Sequence, residues 1–353
     1  MKTTTLLLAA FAAAPFLCAQ DGKSPTAPGG MQMPDPKTPH HDALKPFVGS
    51  WQSTMRMEAM PGVPGMEKAQ ESTGTEHCEL LCNGLWLKAT SEGTHDGKAC
   101  QGLWLVGYDP SAKAYTGLWV GSQDEASSPM TGSYDAAKTT WTFTGESPFG
   151  PFRSVLVWND ADTSTEICYM VVDGKETKCM EMVRKRVAGG KPIDASAHFT
   201  KPEAKELAVL AEGVGTWDAT VKTMMPGAPA SEEKGTETVV PICSGKWYWS
   251  DFKGTMMGAP FEGHGITGYE PGTKKYVAYW IDSMNPTFTR TEGDYDAAKK
   301  AFVMSGKCVG MDGQPMSIEQ MSTTGADSRV FKMTMKSAAM THEMQIDYKR
   351  SKG

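Results

Sequence analysis

The strongest constraint on this chain is that it repeats itself. Gly74-Thr75-Glu76, Cys82-Asn83-Gly84-Leu85-Trp86, Gly107-Tyr108-Asp109-Pro110, Tyr115, Trp119 and Tyr134-Asp135-Ala136-Ala137-Lys138 all return later in the chain. Their counterparts are Gly235-Thr236-Glu237, Cys243-Ser244-Gly245-Lys246-Trp247, Gly268-Tyr269-Glu270-Pro271, Tyr276, Trp280 and Tyr295-Asp296-Ala297-Ala298-Lys299. Roughly a third of the positions in this stretch are identical without a gap, so the chain is a tandem duplication. Val48-Gly49-Ser50-Trp51 and Val214-Gly215-Thr216-Trp217 carry the repeat back towards the start of each unit. A unit of about 150 residues is the size of one compact domain rather than one turn of a solenoid.

Within each unit the pattern is strand after strand. Runs at 102–108, 115–120, 140–144, 155–158, 167–172 and 178–183 are rich in aromatic and β-branched residues and separated by turn residues. The 37 glycines and 22 prolines recur at short intervals, which disfavours long helices. Short helices are expected only at 41–47 and 202–212, the latter with Pro202 in its first turn and Gly213 as terminator. A meander of eight to ten antiparallel strands must cover its edges, and closure into a barrel does so. The expected fold is therefore all-β: two tandem antiparallel barrels, each preceded by a short helix. With 40% hydrophobic residues the chain can bury two cores, and a net charge of −6 provides no basic field for phosphates, so nucleic acid is not an expected partner.

A short helix, a Gly-x-Trp on the first strand and an Arg at the end of the last strand (Arg186 and Arg350) together resemble the lipocalin-like, or calycin, barrels. That resemblance implies structural roles for Trp51, Arg186, Trp217 and Arg350, each guanidinium lying over its indole at the barrel base. A narrower likeness lies in Gly258-Ala259-Pro260-Phe261-Glu262-Gly263-His264-Gly265-Ile266-Thr267-Gly268-Tyr269-Glu270, followed by Tyr276 and Tyr279-Trp280-Ile281-Asp282-Ser283-Met284. This run resembles the bacterial domain of unknown function family 1579, and the likeness covers each unit almost fully. It implies a lipocalin-like fold and frequent export, and no established activity. The first unit departs from it, with Leu103 in place of His264 and Gly121 in place of Asp282.

The N-terminus is laid out as a signal peptide over 1–19: Met1-Lys2, an apolar run from Leu6 to Leu17, then Cys18-Ala19 before polar residues. Lipidation at Cys18 is disfavoured because Leu17, not a small residue, precedes it. A disordered Pro/Gly/Met-rich leader is expected over 20–39, a first barrel over 40–187, a linker over 188–197 and a second barrel over 198–353. No other segment approaches the ~18 apolar residues of a membrane span. The mature protein is expected to be periplasmic or secreted.

Removal of Cys18 leaves seven cysteines, an odd number. The Asp173-Gly174 hairpin signal sets Cys168 across from Cys179, a disulfide candidate, and Cys243 with Cys308 is the pair available in the second half. There is no Cys-x-x-Cys, and Cys78-x3-Cys82 has no His pair nearby, so no metal site is expected.

His264 and Asp282 fall on consecutive strands joined by a turn, and by period-two alternation Tyr276 and Trp280 share the face of Asp282. Whether His264 joins them depends on register. These four are the candidate ligand-binding residues. His264 and Asp282 are also the candidates for an alternative, an enzyme with a His–carboxylate pair, although no catalytic residue is assigned and no nucleophile motif stands beside them. Met31, Met33, His40, His41, Met55, Met57, Met60, Met333, Met335, Met340, His342 and Met344 invite copper, since thioethers suit Cu(I), but methionine is more often adaptable packing. Haem lacks a clear axial ligand, so the expected cofactor is none. The leading expectation is non-catalytic binding of a small, partly apolar molecule inside a barrel, with the second unit favoured. A structural or interaction module would instead show filled barrels and an apolar patch between the units.

Overall fold

In the computed structural model each repeat pairs its strands in chain order and then closes the last onto the first, so neither sheet has an edge. The structure describes residues 35–352 without 61–66, 96, 148–149, 200–201, 203, 225–229, 311–313 and 339–340. The expected signal peptide and nearly all of the leader, including Cys18, Met31 and Met33, lie outside the described residues, as does Met340.

The first barrel contains β1 (Gly49–Met57), β2 (Gln70–Leu81), β3 (Trp86–His95), β4 (Lys98–Asp109), β5 (Ala114–Gly121), β6 (Ser128–Asp135), β7 (Thr140–Ser147), β8 (Gly150–Trp158), β9 (Thr163–Val172) and β10 (Lys175–Val187). The second contains β11 (Gly215–Met224), β12 (Ser231–Ile242), β13 (Trp247–Met256), β14 (Ala259–Glu270), β15 (Lys275–Asp282), β16 (Thr289–Asp296), β17 (Ala301–Val309), β18 (Pro315–Thr323), β19 (Ser328–Lys336) and β20 (Thr341–Arg350). Every pairing is antiparallel. Before the first barrel stands a 3-10 helix, Pro39–Phe47, and before the second a two-turn helix, α1 (Lys205–Ala211). Pro46 lies inside the 3-10 segment, where its missing N–H leaves no place for regular α-helical bonding.

Both barrels close at the helix end in the same way. Trp51 Nε1 donates to the Phe47 carbonyl at 2.8 Å, and Trp217 Nε1 to the Gly213 carbonyl at 2.9 Å. The Arg186 guanidinium lies 4.0 Å from the Trp51 ring and donates to the Val48 and Pro46 carbonyls, each at 2.7 Å. Arg350 lies 4.2 Å from the Trp217 ring and donates to the carbonyls of Val214 and Glu212. Gly49 and Gly215, both at φ +127°, permit the approach: a side chain there would meet the arginine.

The barrels pack against each other through the outer faces of β2–β5 and β12–β15. Leu81, Leu85, Trp86, Leu103, Leu105 and Leu118 of the first repeat share one buried cluster with Ile242, Trp247, Trp249, Ile266, Val277 and Ile281 of the second. Equivalent patches of the two units face each other, an isologous contact within one chain. Turns 82–84 and 243–245 enter this seam, and in each the Cys (Cys82, Cys243) and the following residue hold positive φ.

The two disulfide candidates differ in their surroundings. All described cysteines are free thiols. The Asp173-Gly174 turn forms with both residues at positive φ, and a bulge between Lys178 and Met180 sets Met180 opposite Cys168 in register, yet the Cys168 and Cys179 thiols still lie within hydrogen-bonding reach of each other. The Cys179 thiol also lies 3.2 Å from the Cys168 carbonyl. Cys243 belongs to the seam between barrels and Cys308 to a cluster with Met316 and Ile318, so these two do not pair.

Candidate functional site

The inner faces of the two barrels carry different volumes at equivalent positions. Phe47, at the end of the first helix, packs against Trp104, Trp141 and Trp158 inside the first barrel. Its counterpart, the other acceptor for a base tryptophan, is Gly213. Trp104, opposite Trp119, is matched by Gly265, opposite Trp280. Met130 on β6 is matched by Thr291 on β16, Trp141 on β7 by Phe302 on β17, and Leu156 on β8 by Ser322 on β18. Each replacement removes side-chain volume, and together they open a cavity of about 710 Å³ along the second barrel. That is within the size range of small-molecule sites, about 300–1,000 Å³.

Aromatic and thioether groups dominate its wall: Trp217, Tyr248, Phe252, Trp280, Phe302 and Phe331, with Met304, Met316, Met333, Met335 and Met344. Methionine suits a wall that must fit an irregular guest, because its unbranched chain repacks at low cost. Met333 faces Met344 across the β19–β20 pair and Met335 faces His342, so this candidate copper group lines one side of the cavity. At the helix end Arg329 makes a buried ion pair with Glu237 and lies over the rings of Trp217 and Tyr348, at 4.6 and 4.1 Å. Burial pushes the Tyr348 phenol up to about 12, so it stays a neutral hydroxyl. Thr291 Oγ1 donates to Gln320 Oε1 at 3.2 Å, a polar pair midway along.

The four sequence candidates do not converge. Trp280 and Asp282 line the cavity, with Trp280 Nε1 donating to Asp282 Oδ2 at 3.1 Å. Burial raises the Asp282 carboxyl above the usual carboxylate range, although it also accepts from the Met284 and Asn285 backbone N–H groups. Tyr276 is buried at the helix end, its hydroxyl donating to the Glu206 carbonyl at 3.1 Å, which ties β15 to the start of α1. His264 sits opposite Ile281 while Asp282 sits opposite Gly263, so the histidine and the aspartate project from opposite faces of the sheet. A His264–Asp282 dyad inside the barrel is therefore excluded by register.

His264 belongs to the seam between barrels. Its Nδ1 lies 2.6 Å from Asp251 Oδ1 and its Nε2 lies 3.2 Å from Glu262 Oε1. Burial alone lowers its pKa, but the two carboxylates prevail and hold it above the ordinary 6.5. Glu262 Oε2 accepts from the Cys82 backbone N–H at 3.0 Å, and the Cys82 sulfur completes a Cys82–Glu262–His264 group whose donor atoms all lie within 4.8 Å of one another. Sequence reasoning missed Cys82 and Glu262 because they lie 180 residues apart. The only available signal was the departure of Glu262 and His264 from Gln101 and Leu103 of the first repeat.

Among the described residues no helix is long and apolar enough to cross a membrane. The sequence profile of a family described as "Protein of unknown function (DUF1579)" matches residues 36–186 and again 202–350. Curated proteins give no match. Among solved structures, an S-type phycobiliprotein lyase from Guillardia theta is similar at 11% identity, over 44% of this chain and 97% of that one, with a TM-score of 0.32. A DUF3598 protein of unknown function from Nostoc punctiforme aligns at 8% identity over 89% of this chain and all of that one, with a TM-score of 0.24. Transferrin binding protein B from Haemophilus parasuis aligns at 9% identity over 85% and 75% of the two chains, with a TM-score of 0.21.

Proposed function

The chain belongs to the DUF1579 family, in two tandem copies, and from that premise we propose that it is an exported, lipocalin-like binding protein whose second barrel holds a small, partly apolar molecule. The observation that carries this reading is the cavity of about 710 Å³, opened where the first barrel has Phe47, Trp104 and Leu156 and the second has Gly213, Gly265 and Ser322. Burying a guest against this wall gains about 25 cal/mol for each Å² of apolar surface removed from water. The Thr291–Gln320 pair and the Asp282 carboxyl provide the few polar contacts that orient such a guest. The export part of the reading rests on the N-terminal 19 residues, with their apolar run and small residue before the polar segment.

The test is to restore the first barrel's filling. Gly213→Phe combined with Ser322→Leu is expected to weaken binding of the apolar dye anilinonaphthalene sulfonate by about tenfold or more, without lowering the melting temperature. Undiminished dye binding by the folded variant would sink the reading. Native mass spectrometry of the wild-type protein then supplies the mass of any guest retained from the cell.

A further inference from the structure

The seam between the barrels is built twice, from equivalent residues, and at three equivalent positions beside its turns only one half carries ionisable side chains. In the first half, the backbone N–H of Cys82 donates to Glu262 Oε2 at 3.0 Å. In the other, the backbone N–H of Ser244, beside Cys243, donates to Gln101 Oε1 at 3.2 Å. Gln101 and Glu262 are equivalent in the repeat, as are Leu103 and His264, and Thr90 and Asp251. Packing and backbone capping are thus satisfied by Gln, Leu and Thr on one side. On the other, all three positions are replaced by groups that bind or orient around a cation.

We propose that Cys82, Glu262 and His264 form a binding site for a divalent metal ion of the zinc class, assembled from both repeats. The donor set is a sulfur, an imidazole nitrogen and a carboxylate oxygen, a mixture that suits a borderline ion such as Zn²⁺ rather than Mg²⁺ or Ca²⁺. Bonds of about 2.0–2.3 Å in a tetrahedron place ligand atoms about 3.3–3.7 Å apart. The His264 Nε2 to Glu262 Oε1 separation of 3.2 Å is already of that order, and the full spread of 4.8 Å closes by side-chain rotation.

A second observation points the same way. His264 is only 2% exposed, and its Nε2, on the side of Glu262 and Cys82, has no well-aligned hydrogen bond. Its Nδ1 is held by Asp251 at 2.6 Å. A carboxylate on one ring nitrogen that fixes the tautomer and presents the other nitrogen is the usual support for a metal-bound histidine. Coordination releases the Cys82 thiol proton to solvent, with the sulfur's electron pair passing to the metal, and any proton on Nε2 leaves as well. Three protein ligands leave a fourth position for water. The site joins β14 of the second barrel to the turn after β2 of the first, so an ion there cross-links the two repeats, independently of any guest in the cavity.

Co²⁺ serves as the probe, added to reduced, metal-free full-length protein and followed by its absorption. The expected result is one equivalent with visible bands of tetrahedral intensity and a near-ultraviolet sulfur-to-cobalt band, both displaced by Zn²⁺. Cys82→Ser is expected to abolish the sulfur band, while Cys243→Ser, at the equivalent thiol of the other half, leaves it unchanged. Glu262→Gln with His264→Leu imports the packing of the other half, so the protein is expected to stay folded and to lose binding. Asp251→Asn keeps all three ligands and is expected to weaken binding about 10- to 100-fold. Absence of stoichiometric Co²⁺ binding overturns the proposal, as does a spectrum that survives in both Cys82→Ser and the Gln/Leu variant.

Discussion

Arg184 and Arg329 stand on non-equivalent strands, the last of the first barrel and the next-to-last of the second, yet they neutralise equivalent glutamates. Arg184 lies 3.3 Å from Glu76 and 2.8 Å from Glu166, and Arg329 pairs with Glu237. Where Arg184 stands in the first repeat the second has Tyr348, and where Glu166 stands it has Phe331. The arginine has therefore moved across one strand pair, and aromatic rings have taken the place of its second carboxylate. Removing one partner of such a pair leaves a buried charge. Arg329→Met is expected to destabilise the second barrel by about 3–5 kcal/mol, and adding Glu237→Gln to recover most of that. Urea midpoints of the single and double variants decide it: if the double variant is no more stable than the single one, the pair carries no coupling.

The closure at the base rests on a group that lysine cannot imitate. Arg186 covers the Trp51 ring, donates to two backbone carbonyls that end the 3-10 helix, and reaches Asp162 at 3.0 Å. An ammonium can make one or two of these contacts but not the planar set. Arg186→Lys is expected to cost about 2 kcal/mol, with the loss confined to the first barrel. Tryptophan fluorescence during unfolding measures it, and an unchanged midpoint would show that the charge alone is enough.

Much of this architecture is legible in the sequence because it rests on local chemistry. The Gly-x-Trp strands, the turn glycines and the arginines at the strand ends read directly as barrel staves and base. The interior of the second barrel is less legible, since Gly265 or Ser322 signals a cavity only beside Trp104 or Leu156 in the aligned repeat. Register is harder still: the single bulge at Cys179 moved Met180 into the position directly across from Cys168, and the Gly263–Asp282 pairing turned His264 outward. The seam group was invisible to spacing rules, because its ligands come from two domains whose docking no local pattern encodes.

His41 gives the first barrel a sensitivity to acid. Its Nδ1 accepts the Thr38 backbone N–H at 2.9 Å, which caps the 3-10 helix, and the ring is almost fully buried. Burial is the largest influence on it and, with Lys37 and His40 nearby, holds its pKa below the ordinary 6.5. A histidine depressed in the folded state binds its proton more readily when unfolded, so its support is complete above pH 6.5 and is lost as pH falls from there through the folded value. Stability measured by urea is expected to fall between pH 7.5 and 5 in the wild type and to fall less in His41→Asn, which keeps an acceptor for Thr38. Parallel pH curves would remove His41 from the account.

The apolar seam predicts how each repeat behaves alone. Residues 35–190 produced as a single barrel would expose Leu81, Leu85, Trp86, Leu103, Leu105 and Leu118 on one face, all buried in the intact chain. A contiguous apolar face of this kind on a lone domain is a site of association. Because equivalent patches already meet within the chain, the isolated first barrel can reproduce the contact with a second copy of itself, an isologous dimer. Sedimentation is expected to show a dimer at micromolar concentration. Trp86→Lys, which places a charge at the centre of the face where Trp86 now packs on Phe288 at 4.4 Å, is expected to return it to monomer. A first barrel that stays monomeric without the substitution would mean that the seam holds through the second repeat's own residues, Trp249 and Tyr279 among them, rather than through apolar burial shared by both.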